Sequence, residues 1–211
     1  MGYSHIVFDV DGTLIDTFYS NMRSLQEVLQ ELTGQVRSME DLGQYFGITG
    51  LDAALQLGFA DPHAALRQWE ETLCKYTDHN RLYDGIEALL GRLTQAGCGL
   101  GVVTSRTRAE VEVDPILCSI APYFQHIITA DDTPRHKPHP DPLLRYMALA
   151  GCAPEQVLFI GDSAYDMQCA AAAGAASGLA LWGAQEPQTC THLLERPEDV
   201  ASLCDGRTRT V

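Results

Sequence analysis

Asp9 and Asp11 stand two residues apart in the string Asp9-Val10-Asp11-Gly12-Thr13, which closes the short apolar run of residues 5–9. A strand alternates its side chains with period two, so a strand persisting to residue 11 aims both carboxylates at one side. One can attack phosphorus to give an acyl phosphate while the other moves protons, dividing one hard displacement into two easier ones. Gly12 permits a sharp turn and close approach of backbone to phosphate, and Thr13 adds a hydroxyl and an N–H. Alone, the same string also makes an Asx turn with a helix cap.

Three other polar clusters follow apolar runs. Asp162 and Asp166 lie four residues apart in Gly161-Asp162-Ser163-Ala164-Tyr165-Asp166, after the run 157–161. A helix starting there puts both carboxylates on one face, pointing back towards Asp9. With Asp9 they offer a hard cation such as Mg2+ three anionic oxygens; singly, each also reads as an ordinary helix cap. Thr104, at the end of the run 99–104, offers its hydroxyl and the N–H groups after it to phosphate oxygens, with Ser105 and Arg106 next to it. Lys137 lies in RHKPHP and is one of only two lysines, with Lys75, in a chain of twelve arginines. Its ammonium can neutralise a nucleophile and a transferring phosphoryl group together. The seven histidines, including the pair His136 and His139, lack further nitrogen or sulfur ligands at useful spacing, and no GxxxxGK[ST] loop occurs.

The elements that must position these groups follow from periodicity. Strand-like runs at 5–9, 99–104, 126–129, 157–161 and 178–182 alternate with helical patterns at 86–96, about 107–121, 141–150 and 165–173. This order predicts βαβ units and an α/β core, a parallel sheet with helices on both faces, whose ligands bind outside the carboxyl ends of the strands. The exception is 16–82, where apolar residues fall only at helical spacing, as in Leu25, Val28, Leu29 and Leu32. That stretch is too long for a loop and predicts a helical insertion, with extra helices lying flat on the sheet as the alternative. The expected division is a core of 1–15 and 83–211 and an inserted unit of 16–82.

A formal charge of −14 opposes broad binding to nucleic acid or anionic membrane. No run of 18 apolar residues occurs, which predicts a protein that does not enter a membrane and resides in the cytoplasm. The seven cysteines are scattered and odd in number, and are expected to be reduced.

With these residues in place, the chain resembles the haloacid dehalogenase superfamily, in particular its phosphoglycolate-phosphatase-like group. The resemblance is carried by DVDGTLIDT at 9–17, LYDGIEALLGRL at 82–93, VVTSR at 102–106, HKPHPDP at 136–142, GDSAYDMQCAAAAG at 161–174 and ALWGAQEP at 180–187. It implies a Rossmann-like core with a helical cap inserted after the first strand, and Mg2+-dependent hydrolysis of a small phosphorylated metabolite through an aspartyl-phosphate. It further implies Asp9 as nucleophile, Asp11 as general acid and base, Thr104 as phosphate-binding hydroxyl and Lys137 as charge partner. Gly12, Thr13, Ser105 and Arg106 become substrate contacts. Asp9, Asp162, Asp166 and the backbone carbonyl of Asp11 become the metal's surroundings. Asp11 distinguishes the chain from dehalogenases of the group, and Gly161-Asp162 from sugar phosphomutases, which usually carry Glu-Asp there. A phosphomutase and a phosphate-binding protein without turnover are the competing readings. The substrate stays open among phosphoglycolate, pyrophosphate, sugar phosphates and nucleotides, with Arg23, Arg37, Arg67, Lys75 and Arg81 of the insertion as candidates to meet a second anionic group.

Overall fold

The computed structural model describes residues 2–204; residue 1 and residues 205–211, assigned above to the core, lie outside the described residues. The main sheet is built from β1 (His5–Phe8), β4 (Gly99–Val103), β5 (His126–Ile128), β6 (Val157–Gly161), β7 (Ala176–Ala180) and β8 (His192–Leu194). All neighbours are parallel, in the order β5-β4-β1-β6-β7-β8. The chain steps from β1 to β4 on one side and later to β6 on the other, so the strand order reverses at β1. In open parallel sheets that reversal leaves a crevice at the carboxyl edge, and Asp9 stands at its centre.

Strand alternation divides the buried residues between two faces. Ile6, Phe8, Leu100, Val102, Leu158 and Ile160 pack with Leu89, Leu90 and Leu93 of α5 (Ile86–Gln95) and Leu117 and Ile120 of α7 (Pro115–Ile120). Val7, Val103 and Phe159 turn the other way, against Leu143, Tyr146 and Met147 of α8 (Asp141–Ala150) and Cys169 and Ala170 of α9 (Ala164–Ala173). The Rossmann-like arrangement, helices on both faces of a parallel sheet, follows from this alternation.

Between β1 and β4 the chain forms α1 (Phe18–Thr33), α2 (Met39–Leu42), α3 (Gly50–Gln56) and α4 (Pro62–Leu73). Met22, Leu25, Val28 and Leu29 of α1 form a helical stripe that meets Ala65 and Trp69 of α4 in a separate apolar cluster. Asp61 caps α4 by accepting from the Ala64 N–H at 2.9 Å, with Pro62 at the first helical position. Where the chain leaves the core and returns, β2 (Ile15–Asp16) and β3 (Arg81–Leu82) pair antiparallel. Two residues each are too few for any periodic signal, so the sequence reading has only helices there.

Three further differences have local causes. The helical pattern about 107–121 is two helices, α6 (Arg108–Val113) and α7, because the residue before Pro115 is driven out of helical geometry and Asp114 caps the second helix. Strand β8 escapes the sequence reading because it is short and lies at the sheet edge, with Leu193 exposed. Cys98 and Cys204 are joined as a disulfide, whereas five cysteines are free. The expectation of seven reduced thiols is corrected for this pair: it is separated by 106 residues and meets only because residues 3 and 204 form a β-bridge beside β4.

Candidate active site

Asp9 leaves β1 still bound to the sheet, its N–H donating to the Ile160 carbonyl at 2.8 Å. Its side chain is 2% exposed, with Oδ1 on the Lys137 ammonium at 2.8 Å and Oδ2 buried without a hydrogen-bond partner. Lys137 also donates to Asp166 Oδ1 at 2.7 Å. The other Asp166 oxygen accepts from the Ser163 N–H and hydroxyl, the capping box that starts α9. Asp162 is buried and accepts from Thr13 Oγ1 at 3.2 Å. Two glycines make this density possible. A Cβ on Gly12, which has φ 77°, would run into the Asp162 carboxylate, and one on Gly161 would run into Asp166. The indole N–H of Trp182, in the loop after β7, holds the Thr13 carbonyl at 2.9 Å.

Carboxylate oxygens of Asp9, Asp162 and Asp166 lie within 4.8 Å of one another. Burial, then the Asp166 and Asp11 charges, push the Asp9 carboxyl up to about 7 against the opposing pull of Lys137. Burial, then Asp166 and Asp9, raise Asp162 well above the carboxylate range. Burial works to lower Lys137, but Asp166 and Asp9 prevail and raise it. Ionised together, three carboxylates and one ammonium carry two excess negative charges, which a hard divalent cation offsets. The all-oxygen donor set of this buried cluster suits such an ion. Asp166 has both oxygens engaged, which leaves Asp9 and Asp162 as the carboxylates with capacity to spare.

Asp11 is turned away from this cluster. Thr17 donates to its Oδ1 at 2.6 Å, and Arg106 grips both oxygens at 2.6 and 2.8 Å. Burial works to raise the Asp11 carboxyl, but Arg106 and Thr17 together hold it below its usual value. Arg106 is itself fixed by Asp114 Oδ2 at 2.6 Å, so the capping residue of α7 also orients the guanidinium. Thr104 is buried at the end of β4, where its Oγ1 accepts from the Arg106 N–H at 3.2 Å. Ser105 donates to the carbonyl of Gly47 in the inserted helices at 2.8 Å.

A cavity of about 700 Å3 opens between the inserted helices and the carboxyl edge of the sheet. Asp9, Asp11, Ser105 and Arg106 line it; Gly12, Thr13, Thr104, Lys137, Asp162 and Asp166 are not part of its surface. The residues singled out from motifs thus converge on one strand edge. Sequence reasoning missed Thr17, Asp114 and Trp182, each of which acts by holding another residue, and the wall from the inserted helices, including Phe46 and Trp69. Thr17 and Trp182 lie inside quoted motifs, but nothing about their type announces a partner.

The comparisons with known proteins agree with this geometry. The family model for haloacid dehalogenase-like hydrolases matches residues 6–180. A protein of Caldanaerobacter subterraneus assigned as pyrophosphatase PpaX is 32% identical over 190 residues, covering 86% of this chain and 83% of its own. The phosphoglycolate phosphatase of Aquifex aeolicus is 29% identical over 208 residues, covering 95% and 96%. Among solved structures, a Lactobacillus plantarum protein assigned as a phosphoglycolate phosphatase superposes with a TM-score of 0.86 at 34% identity, over 96% of this chain and 100% of that one. With the strand order, the aspartate cluster and these matches in agreement, the chain belongs to the haloacid dehalogenase-like hydrolases.

Proposed function

We propose that the chain, a hydrolase of phosphoric esters by its family and relatives, is a Mg2+-dependent phosphatase for a small phosphorylated metabolite and works through an aspartyl-phosphate on Asp9. The observation that carries this is Asp9 Oδ2, buried at the cavity floor without a partner while Lys137 holds the other oxygen. In this reading Oδ2 attacks phosphorus, the O–P bond forms, and the bond to the leaving oxygen breaks with a proton delivered from Asp11. Water then attacks the acyl phosphate, Asp11 takes its proton, and inorganic phosphate departs. Lys137 and Thr104 hold the phosphoryl oxygens, and Gly12 and Thr13 supply the turn beside them. The cation, held by Asp9, Asp162 and the Asp11 carbonyl, supplies charge stabilisation when bound, with Asp166 as support.

Arg106 and Thr17 keep Asp11 as a carboxylate, the form the water step requires. Donating a proton requires Asp11 to turn from Arg106 towards the leaving oxygen, and side-chain geometry commonly tightens this way only with substrate bound. Asp11→Asn is expected to lower kcat by about 10²–10⁴-fold with KM little changed. Equal losses in binding and rate would assign Asp11 a structural role instead.

Residues 16–82 form the cap of this reading, hinged at the paired β2 and β3. The direct test is release of inorganic phosphate from a panel of phosphorylated metabolites with Mg2+ and with chelator. No release under either condition would leave a phosphate-binding protein without turnover. Binding is expected to register without catalysis as well. Mg2+ at ten times its dissociation constant adds about 1.4 kcal/mol, or roughly 3–6 °C in Tm for a chain of this size. That shift is expected to vanish in Asp162→Asn.

A further inference from the structure

The cavity above Asp9 has a pronounced chemical asymmetry. Its cap wall is built of Met22, Phe46, Ile48, Leu66, Trp69 and Leu73. The Trp69 indole N–H is satisfied within the cap by Ser24 Oγ at 2.9 Å, so the indole brings no free donor to the cavity. Among the described residues Arg106 is the sole cation lining the space, and its guanidinium is committed to Asp11 and Asp114. The cap's own cations face elsewhere. Lys75 pairs with Glu27, Arg81 with Asp16 at 2.7 Å, Arg23 with Gln26 at 2.6 Å and Arg37 with Gln35 at 3.1 Å. Arg67 is exposed and does not line the cavity. None of the five lines the cavity, although Arg67 is near enough to Glu70 for its charge to lower that carboxyl.

The other polar groups that line the cavity are neutral, as Asn21, Tyr45, Thr77, Asn80 and Thr107 are, or acidic. Glu70 on α4 and Glu110 on α6 both line it, with Asp78 and Asp114. Glu70 and Glu110 are near enough that, after burial, the Glu110 charge is what raises the Glu70 carboxyl. A leaving group bearing its own negative charge would sit among these carboxylates, with Arg106 as the one lining cation and that one still held by Asp114 when Asp11 turns away. An apolar one would remove the cap wall from water.

Resting on the phosphatase reading above, we propose that the group esterified to the transferred phosphate is uncharged and apolar and lies against the Phe46–Trp69 wall. Anionic leaving groups, glycolate and phosphate among them, are disfavoured by the same wall. The carbon skeleton is selected by the cap and the phosphate by the core, so the two halves of recognition are separable.

Benzyl phosphate and 2-phosphoglycolate test this directly, because both release a primary alcohol and differ in carrying a ring or a carboxylate; inorganic pyrophosphate is the third probe. With Mg2+, kcat/KM for benzyl phosphate is expected to exceed the other two by about 100-fold. Leu73→Arg, which places a cation on the wall, is expected to shrink the benzyl-to-phosphoglycolate ratio by about tenfold. Calorimetric binding of benzyl phosphate and 2-phosphoglycolate to the same Mg2+-loaded protein separates the two readings. Turnover of phosphoglycolate or pyrophosphate equal to or above that of benzyl phosphate would overturn the apolar assignment and keep the phosphatase. Tighter binding of benzyl phosphate without turnover of any probe would keep the assignment and sink the phosphatase. Neither turnover nor preferential binding would sink both.

Discussion

Asp9→Asn is expected to reduce phosphate release by more than about 10³-fold while the protein still folds, because the amide keeps the shape of the side chain but cannot form the acyl phosphate. The exchange is not expected to cost stability. Asp9 is buried among Asp162, Asp166 and Asp11, and its ionisation is opposed chiefly by burial. The folded protein raises this carboxyl from 3.8 to about 7. A raised carboxyl contributes no penalty below the unfolded value, and stability is subtracted as pH climbs from there to the folded one. Asparagine escapes that subtraction, so without divalent cation the variant's Tm relative to wild type should be higher at pH 8 than at pH 4. Phosphate-release assays, with deamidation excluded by mass spectrometry, check the first half and thermal melts at the two pH values the second. Residual turnover above about one hundredth of wild type would rule out Asp9 as the nucleophile.

The second large effect belongs to Lys137. Its side chain is 1% exposed and touches Asp9 at 2.8 Å and Asp166 at 2.7 Å. Methionine in its place keeps most of the volume and leaves two buried carboxylates facing each other. Breaking one partner out of a buried ionic group typically costs about 3–5 kcal/mol, which for a chain of this size lowers Tm by roughly 6–20 °C. On the proposed mechanism, loss of this charge should also cut kcat by about 10²–10³-fold. Both losses could follow from misfolding alone, so the pair Lys137→Met, Asp166→Asn is the control. Removing one of the stranded charges should recover part of the Tm and none of the rate. A variant Lys137→Met within tenfold of wild-type kcat would remove Lys137 from the chemistry.

The family and the gathering of Asp9, Thr104, Asp162 and Asp166 at one sheet edge were legible in the sequence because they rest on local rules. Asp9, Thr104 and Gly161-Asp162 each close an apolar run, and in a parallel sheet the ends of neighbouring strands share one edge whatever the loops do. Gly12 and Gly161 were visible as glycines, although only the packing reveals that Asp162 and Asp166 occupy the space a Cβ would take. The division of core residues between the faces of the sheet was equally implicit in the alternation of Ile6, Val7 and Phe8.

Tertiary structure alone decided which partners the charged groups take. Arg106 reads from its motif as a substrate contact, yet it spans 95 residues to grip Asp11 and is anchored by Asp114. The basic residues of the inserted helices and their ends read as candidate anion binders, yet Lys75 and Arg81 reach acids 48 and 65 residues away in sequence, and none of the five lines the cavity. The pairing of Cys98 with Cys204 across 106 residues has the same character. Periodicity and strand ends report on neighbours along the chain. The partner of a long charged side chain depends on which distant segment the fold brings within hydrogen-bond reach, and for that reason the sequence located the aspartate cluster but only the folded insertion revealed the character of the wall that faces it.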